Sequence, residues 1–284
     1  MRKWRRRISF TKMHSCGNDY IFIENFDNSI SCPESLCVSL CQPHYGIGGD
    51  GIVLIESSSV ADVKMRSFNR DGSEGKMAGN NIRCVGKYMY DEGYIRREYI
   101  SVETCSGIHR LRLFVRDGKV SSVLVDMGKA ELSPERIPAV CSKDKMINYP
   151  LTVGGKEYLV SCVSVGNPHC AVFCDAIDAL ELDKIGPMFE FSPAFPERIN
   201  TEFVRIVNKN TLRMRVWERG SGETLACGTG ACAAVIAACE AGYCDKGSNV
   251  TVSLLGGEMT VSYTDEGVTL LGDATEVYRG SFEY

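Results

Sequence analysis

Apolar and polar side chains alternate, or gather in short apolar runs, along most of this chain, which is the pattern of strands. In the first half such runs fall at Ile8-Phe10, Asp19-Glu24, Gly51-Glu56, Val63-Asn69, Tyr99-Glu103, Ile108-Arg116 and Val120-Met127. In the second half they fall at Tyr158-Ser164, Thr201-Val207, Thr211-Glu218, Val250-Leu255, Glu258-Thr264 and Val268-Gly272. One principal helix is expected in each half, about Asn80 to Asp91 and about Thr229 to Ala241. The second contains the alanine-rich run Ala231 to Ala241, which favours helix, and Gly242 is well placed to end it.

The two halves match when the chain is laid on itself with a shift of 149 residues. Gly17-Asn18 then falls on Gly166-Asn167, Met65-Arg66 on Met214-Arg215, Arg70 on Arg219, Glu74 on Glu223, Gly79 on Gly228 and Gly93-Tyr94 on Gly242-Tyr243. A constant shift over so long a stretch is the mark of a tandem repeat. The fold class expected is α+β: two pseudo-symmetric tandem domains, each a curled, mostly antiparallel sheet around a central helix. The junction is expected in the Pro-containing segment from Gly128 to Pro150. If the copies face each other, a ligand in the cleft between them meets one group on each face, which suits taking a proton from one side of a carbon and returning it from the other.

The composition is that of an ordinary globular protein, 44% hydrophobic and 24% charged. A formal charge of −4 argues against a nucleic-acid partner, and no window approaches the ~18 apolar residues of a membrane span. The basic start, Arg2, Lys3, Arg5, Arg6 and Arg7, is followed by no apolar segment and reads as a solvated tail or edge strand. Fourteen cysteines in a chain of this size read as reduced thiols in the cytoplasm. Cys32, Cys37, Cys41 and His44 match no standard zinc spacing, and a buried helix face is preferred for them; no metal is expected.

The chemistry centres on Arg219 to Cys232, R-G-S-G-E-T-L-A-C-G-T-G-A-C. Cys227 is placed at a helix N-terminus, where free N–H groups and the helix dipole favour anions, so its thiol pKa is expected to fall. The flanking glycines let another molecule approach the backbone. A structural cysteine is the plainer reading, and the one preferred for the other thirteen.

Four motifs occur in order: M-H-S-C-G-N-D-Y (Met13 to Tyr20), F-N-R-D-G-S-E (Phe68 to Glu74), G-N-P-H (Gly166 to His169) and E-R-G-S-G-E-T-L-A-C-G-T-G (Glu218 to Gly230). Together they resemble the diaminopimelate epimerases, and the resemblance runs from about Phe10 to beyond Gly272. It implies a cofactor-independent isomerase of lysine and peptidoglycan biosynthesis, a homodimer, acting without pyridoxal phosphate on a small amino acid with two carboxylates. It implies domains of residues 1–128 with about 274–284, and 129–273. Two cysteines serve as thiolate base and thiol acid in such enzymes, a task suited to a pKa near the working pH. The resemblance makes Cys227 one of them and His169 and Glu218 polar partners that tune the site. It places Asn18, Asn69, Asn167, Asn200, Glu218 and Arg219 on the substrate. Backbone N–H groups around Gly79-Asn80 and Gly228-Thr229 are expected to hold the reacting carboxylate and the developing charge. A guanidinium fork at Arg219 suits a distal carboxylate.

Each residue has a plainer role open to it. Asn18 and Asn167 follow glycines and could make turns; His169 could be a structural histidine; Arg219 could pair with Glu223, four residues on. The chain also departs from the family pattern. Where the first repeat should carry the other cysteine it has Ala78, in Met77-Ala78-Gly79-Asn80, and Asp50-Gly51 stands where some members have glutamine. Alanine cannot ionise, so two-thiol chemistry through positions 78 and 227 cannot run in the chain as written. An introduced Cys→Ala change, a one-base relative, and replacement by Cys16 or Cys105 are the three explanations, the first preferred. Other functions stay open: racemisation of another amino acid such as histidine or hydroxyproline, a cysteine hydrolase using Cys227 and His169, or a silent amino-acid-binding relative.

Overall fold

The computed structural model describes residues 6–75 and 79–284, so Ala78 lies outside the described residues. In chain order the elements are β1 (Arg7–Ser15), β2 (Asn18–Glu24), α1 (Pro33–Cys41), β3 (Gly51–Glu56), β4 (Val63–Asn69), β5 (Glu74–Gly75), α2 (Gly79–Asp91), β6 (Tyr99–Thr104), β7 (Gly107–Arg116) and β8 (Lys119–Gly128). There follow β9 (Tyr149–Val153), β10 (Lys156–Ser164), β11 (Pro168–Phe173), a 3-10 turn (Ile177–Ala179), α3 (Leu182–Glu190), β12 (Asn200–Asn208), β13 (Thr211–Glu218), β14 (Gly222–Thr224) and α4 (Gly228–Glu240). The chain ends with β15 (Asn249–Leu254), β16 (Gly257–Tyr263), β17 (Val268–Gly272) and β18 (Thr275–Glu283). It divides into two compact units, Met1–Val125 with Gly272–Tyr284, and Asp126–Leu271.

In the first unit β18 pairs with β1, β1 with β2, β3 with β4, β6 with β7 and β7 with β8, all antiparallel. The pairs β2–β3 and β4–β6 are parallel. The second unit repeats the order: β9–β10, β10–β11, β12–β13, β15–β16 and β16–β17 antiparallel, β11–β12 and β13–β15 parallel. Register is preserved too. Tyr20 opposes Gly51 in one unit and His169 opposes Asn200 in the other, each residue 149 positions from its counterpart. A paired arginine and glutamate also recur. Arg66 grips Glu74 with contacts of 2.8 and 2.9 Å, and Arg215 grips Glu223 with contacts of 2.8 and 3.0 Å. Arg215 therefore occupies the carboxylate that the sequence offered to Arg219.

Each sheet carries a helix on both faces. α2 packs against β1, β4, β6 and β7, and α4 against β10, β11, β12, β13, β15 and β16. α4 is buried from Gly228 through Ala238, with alanine and glycine where a globular helix normally shows one apolar stripe. Small side chains let the strands close around it, so enlarging one, as in Ala233→Leu, would cost ~1–3 kcal/mol through overpacking. On the other face of the first sheet, Leu36, Cys37, Leu40 and Cys41 of α1 pack with Ile21, Ile52, Leu54 and Phe68. In the second unit Phe189 of α3 packs with Phe203 of β12 and with Phe195. The pattern of one helix per repeat thus missed α3, because Pro187 lies inside it and reads as a helix breaker.

The cysteines of α1 divide. Cys37 and Cys41 are buried, with the Cys37 thiol donating to the Asn69 carbonyl at 2.9 Å, whereas Cys32 and His44 are exposed. Only part of that group is a buried helix face, since a nine-residue helix turns its N-cap outward. Among the described residues no cluster of acidic, histidine or cysteine side chains is arranged to hold a metal. Arg7, the last residue of the basic start, opens β1, which pairs with β18 from Arg7 and gains its second neighbour, β2, only from Thr11. No helix among the described residues is long and apolar enough to cross a membrane.

Candidate active site

Strand β13 ends at Glu218, turns through the short hairpin to β14, and delivers the chain to α4 at Cys227. Cys227 is the N-cap of that helix, extended at φ −128° and ψ 113°, and its sulfur accepts the Gly230 N–H at 3.4 Å. The Thr229 hydroxyl lies 3.4 Å from the same sulfur. The side chain is 6% exposed. The helix start supplies donors to sulfur as the pattern of glycines implied.

The expected fall in the Cys227 pKa is overturned. Burial pushes the thiol well above its ordinary value of 9.0, and the nearby acids Glu218 and Glu202 push it further. The Thr229 and Gly230 donors pull the other way and lose. Desolvating a thiolate costs more than one helix terminus returns, and the thiol is the resting form. Burial likewise raises Glu218, against the hydrogen bonds of Thr224 and Cys227 and the influence of His169. Thr224 Oγ1 donates to Glu218 Oε1 at 2.5 Å.

The buried His169 of β11 stands between two acceptors. Its Nδ1 is 2.6 Å from Glu202 Oε1 and its Nε2 is 3.0 Å from Asn167 Oδ1. The Asn167 amide in turn donates to Thr229 Oγ1 at 3.2 Å. Cys227, Thr229, Asn167, His169 and Glu202 thus form one connected chain, with Glu218 acting on it electrostatically. Asn200 is buried, and its carbonyl oxygen accepts the Arg219 backbone N–H at 2.9 Å. The exposed Arg219 side chain donates to the Glu197 carbonyl at 2.9 Å. Glu190 of α3 holds the flanks of this turn, accepting Trp217 Nε1 at 2.8 Å and the Gly220 N–H at 3.0 Å.

The first unit builds a quieter version. Asn80 donates to Asn18 at 3.3 Å, at positions equivalent by the shift to Thr229 and Asn167. Asn18 donates to Asp50 at 2.9 Å, and buried Arg83 donates to Asn80 at 2.9 Å and to the Gly79 carbonyl at 2.9 Å. Tyr20 donates to Asn69 at 3.4 Å, and these two fall on His169 and Glu218 of the other repeat. Where the second unit has an imidazole and a carboxyl, the first has a phenol and an amide. Asn69 is exposed and joined to Ser73 rather than to Asn18. Burial raises the Asp50 carboxyl.

Neither thiol suggested as a stand-in for position 78 has the setting of a base. Cys16 is buried, with its sulfur 3.5 Å from Asp273, and its pKa is pushed up to about 11. Cys105 is exposed and donates to the Gly75 carbonyl at 3.3 Å. Sequence reasoning missed Glu202, Thr224 and Arg83, and marked Asp50 only as a departure from the family pattern. For Glu202 a signal existed: an acid inside the apolar strand T-E-F-V-R-I-V, two residues after Asn200.

The fold defined by these paired units is shared with solved structures of known class. A PhzF-family phenazine biosynthesis protein of Bacillus anthracis superposes with a TM-score of 0.70 over 98% of this chain and 99% of its own, at 13% identity. A hydroxyproline epimerase of Agrobacterium vitis gives 0.70 over 99% of this chain and 94% of its own, at 15% identity. At such identities the likeness establishes the fold alone, that of the proline racemase and PhzF type. Sequence is more specific. The family model for diaminopimelate epimerase matches residues 10–133 and 161–281, and this chain belongs to that family. It is 47% identical to a diaminopimelate epimerase of Acetivibrio thermocellus over 97% of this chain and 99% of that protein.

Proposed function

We propose that the protein interconverts LL- and meso-diaminopimelate by proton transfer at the α-carbon, as an isomerase of lysine and peptidoglycan biosynthesis. The observation that carries this reading, beside family membership, is a buried thiol capping a helix, with the Gly230 N–H donating to its sulfur, the Thr229 hydroxyl 3.4 Å from it and the acid Glu218 as its neighbour.

The resting thiol is the acid: it delivers its proton to a carbanion on one face of the carbon and becomes a thiolate. In the reverse direction Cys227 first passes its proton to the Glu218 carboxylate, giving a thiolate and a carboxylic acid, and the thiolate then takes the α-proton. Thr229 and the Gly230 N–H steady the thiolate. The N–H groups of Gly228 and Thr229 are assigned to the substrate carboxylate and its developing charge, and those of Gly79 and Asn80 are assigned likewise in the first repeat. Asn18, Asn69 and Asn167 are assigned to the substrate's polar groups, and Arg219 to the distal carboxylate, with Asn200 holding the Arg219 turn.

Stereoinversion needs a second group on the other face of the carbon, and the family pattern assigns it to position 78. With alanine there, the chain as written binds substrate and epimerises it slowly, and Ala78→Cys restores turnover. The experiment is a stereochemical assay of diaminopimelate with both forms, beside a panel holding proline, hydroxyproline and histidine. Inversion of another amino acid in preference to diaminopimelate overturns the substrate assignment. The functional protein is read as a cytoplasmic homodimer, which sedimentation equilibrium tests.

A further inference from the structure

A neutral imidazole carries one N–H, yet both nitrogens of His169 face acceptors, Glu202 Oε1 at 2.6 Å and Asn167 Oδ1 at 3.0 Å. Satisfying both contacts requires one further proton, on the ring or on the carboxyl. Both side chains are fully shielded from solvent, and Glu202 Oε2 has no hydrogen-bond partner among the described residues. An ionised Glu202 beside a neutral ring would therefore be an uncompensated buried charge, the costliest arrangement. The titratable groups acting on the pair are Glu218 of β13, Cys227 at the start of α4 and Cys170 of β11, all acids. They make a second negative charge less tolerable still.

We propose that Glu202 is a positioning residue for Cys227: it holds one proton in common with His169, and that proton sets the direction of the hydrogen-bond chain through Asn167 and Thr229 to the sulfur. With the proton in place, Nε2–H donates to Asn167 Oδ1, so the amide turns its NH₂ toward Thr229 Oγ1, 3.2 Å away. The Thr229 hydroxyl hydrogen is then left for Cys227 Sγ, 3.4 Å away. Without the proton Nε2 becomes an acceptor, the Asn167 amide turns over, and the Thr229 hydroxyl donates to Asn167 instead of sulfur. The pair is neutral overall, so it sets donor direction at the thiolate without adding charge beside it.

The proposal rests on the proton-transfer role of Cys227 only for its effect on turnover; the direction of the chain is readable without substrate. In the full-length protein, iodoacetamide labelling of the Cys227 peptide is followed by mass spectrometry across alkaline pH, together with imidazole ¹⁵N shifts of His169. Glu202→Gln carries an NH₂ in place of the shared proton, donates from it to His169 Nδ1 and leaves Nε2–H on Asn167, so Cys227 labelling holds the parent rate and His169 Nε2 stays protonated. A carboxylate that merely repels the thiolate predicts faster labelling once its charge is gone. Faster labelling by Glu202→Gln, or an unprotonated Nε2 in that variant or in the parent protein, overturns the proposal. Thr229→Val provides an independent arm that leaves Glu202 in place: it slows labelling roughly tenfold, as expected for losing one hydrogen bond to a charged acceptor, and an unchanged rate contradicts the chain. Failure of Ala78→Cys to epimerise any amino acid, with the labelling and ¹⁵N results as expected, refutes the assigned reaction and leaves this proposal standing.

Discussion

Gly230→Ala puts the packing around the thiol to a direct test. Gly230 is the third residue of α4, and its backbone lies outside the positive-φ set, so alanine meets no dihedral penalty there. A Cβ at this position would lie 2.8 Å from Glu202 Oε1, 3.2 Å from Cys227 Cβ and 3.3 Å from Cys227 Sγ. Glu202 cannot swing aside cheaply, because it is 0% exposed and tied to His169 at 2.6 Å. Replacing glycine in a helix interior gains about 1 kcal/mol. Forcing a methyl into a filled site costs ~1–3 kcal/mol. The net loss is thus roughly 0–2 kcal/mol, and the protein stays folded. The displaced sulfur or carboxylate, however, upsets the geometry that proton transfer needs, and a misplacement of ~1 Å lowers turnover on the order of 10²-fold. Denaturant unfolding and diaminopimelate epimerisation, both in the Ala78→Cys background where turnover is measurable, read the two effects separately. Parent-level turnover with unchanged stability would refute the placement of Glu202 and Cys227 about Gly230.

The twin ion pairs differ in burial, with exposures of 14% and 30% for Arg215 and Glu223 against 30% and 37% for Arg66 and Glu74. Glu223→Gln therefore costs ~1–2 kcal/mol and Glu74→Gln under ~1 kcal/mol in chemical denaturation, and the reverse order contradicts the comparison. Burial raises Cys16 to about 11 and Cys84 and Cys239 to about 12 from the ordinary 9.0. The folded protein keeps these protons where the unfolded chain releases them, so unfolding releases protons and rising pH favours it. Their contribution is fully present below pH 9 and declines above it, and a denaturation midpoint that holds steady from pH 9 to 11 would oppose this. Cys227→Ser leaves the fold in place and lowers α-hydrogen exchange by at least ~10²-fold, read by NMR in D₂O.

The duplication was legible because it rests on residues that bind and turn: Gly17-Asn18 with Gly166-Asn167, and Arg66 and Glu74 with Arg215 and Glu223. Turn glycines and bidentate pairs leave traces at fixed spacing, and the N-cap of α4 was readable for the same local reason. What was not legible depends on distance through space. The Cys227 thiol moves up rather than down because the closed sheet around α4 buries it, and two acids from β13 and β12 add to that. α3 was obscured by Pro187. Glu202 was read only as part of a strand, since a partner 33 residues away makes it part of the site.

The central claim is that sulfur at position 227 moves the α-proton of an amino acid and that position 78 lacks its counterpart. Its most direct measurement follows LL-diaminopimelate in D₂O with the protein as written, with Ala78→Cys, and with Ala78→Cys combined with Cys227→Ser. The account predicts conversion to the meso form with one solvent deuterium at the inverted carbon for Ala78→Cys, slow turnover for the protein as written, and none for the combined variant. Full two-way epimerisation by the protein carrying Ala78, or by the variant lacking Cys227, would contradict it.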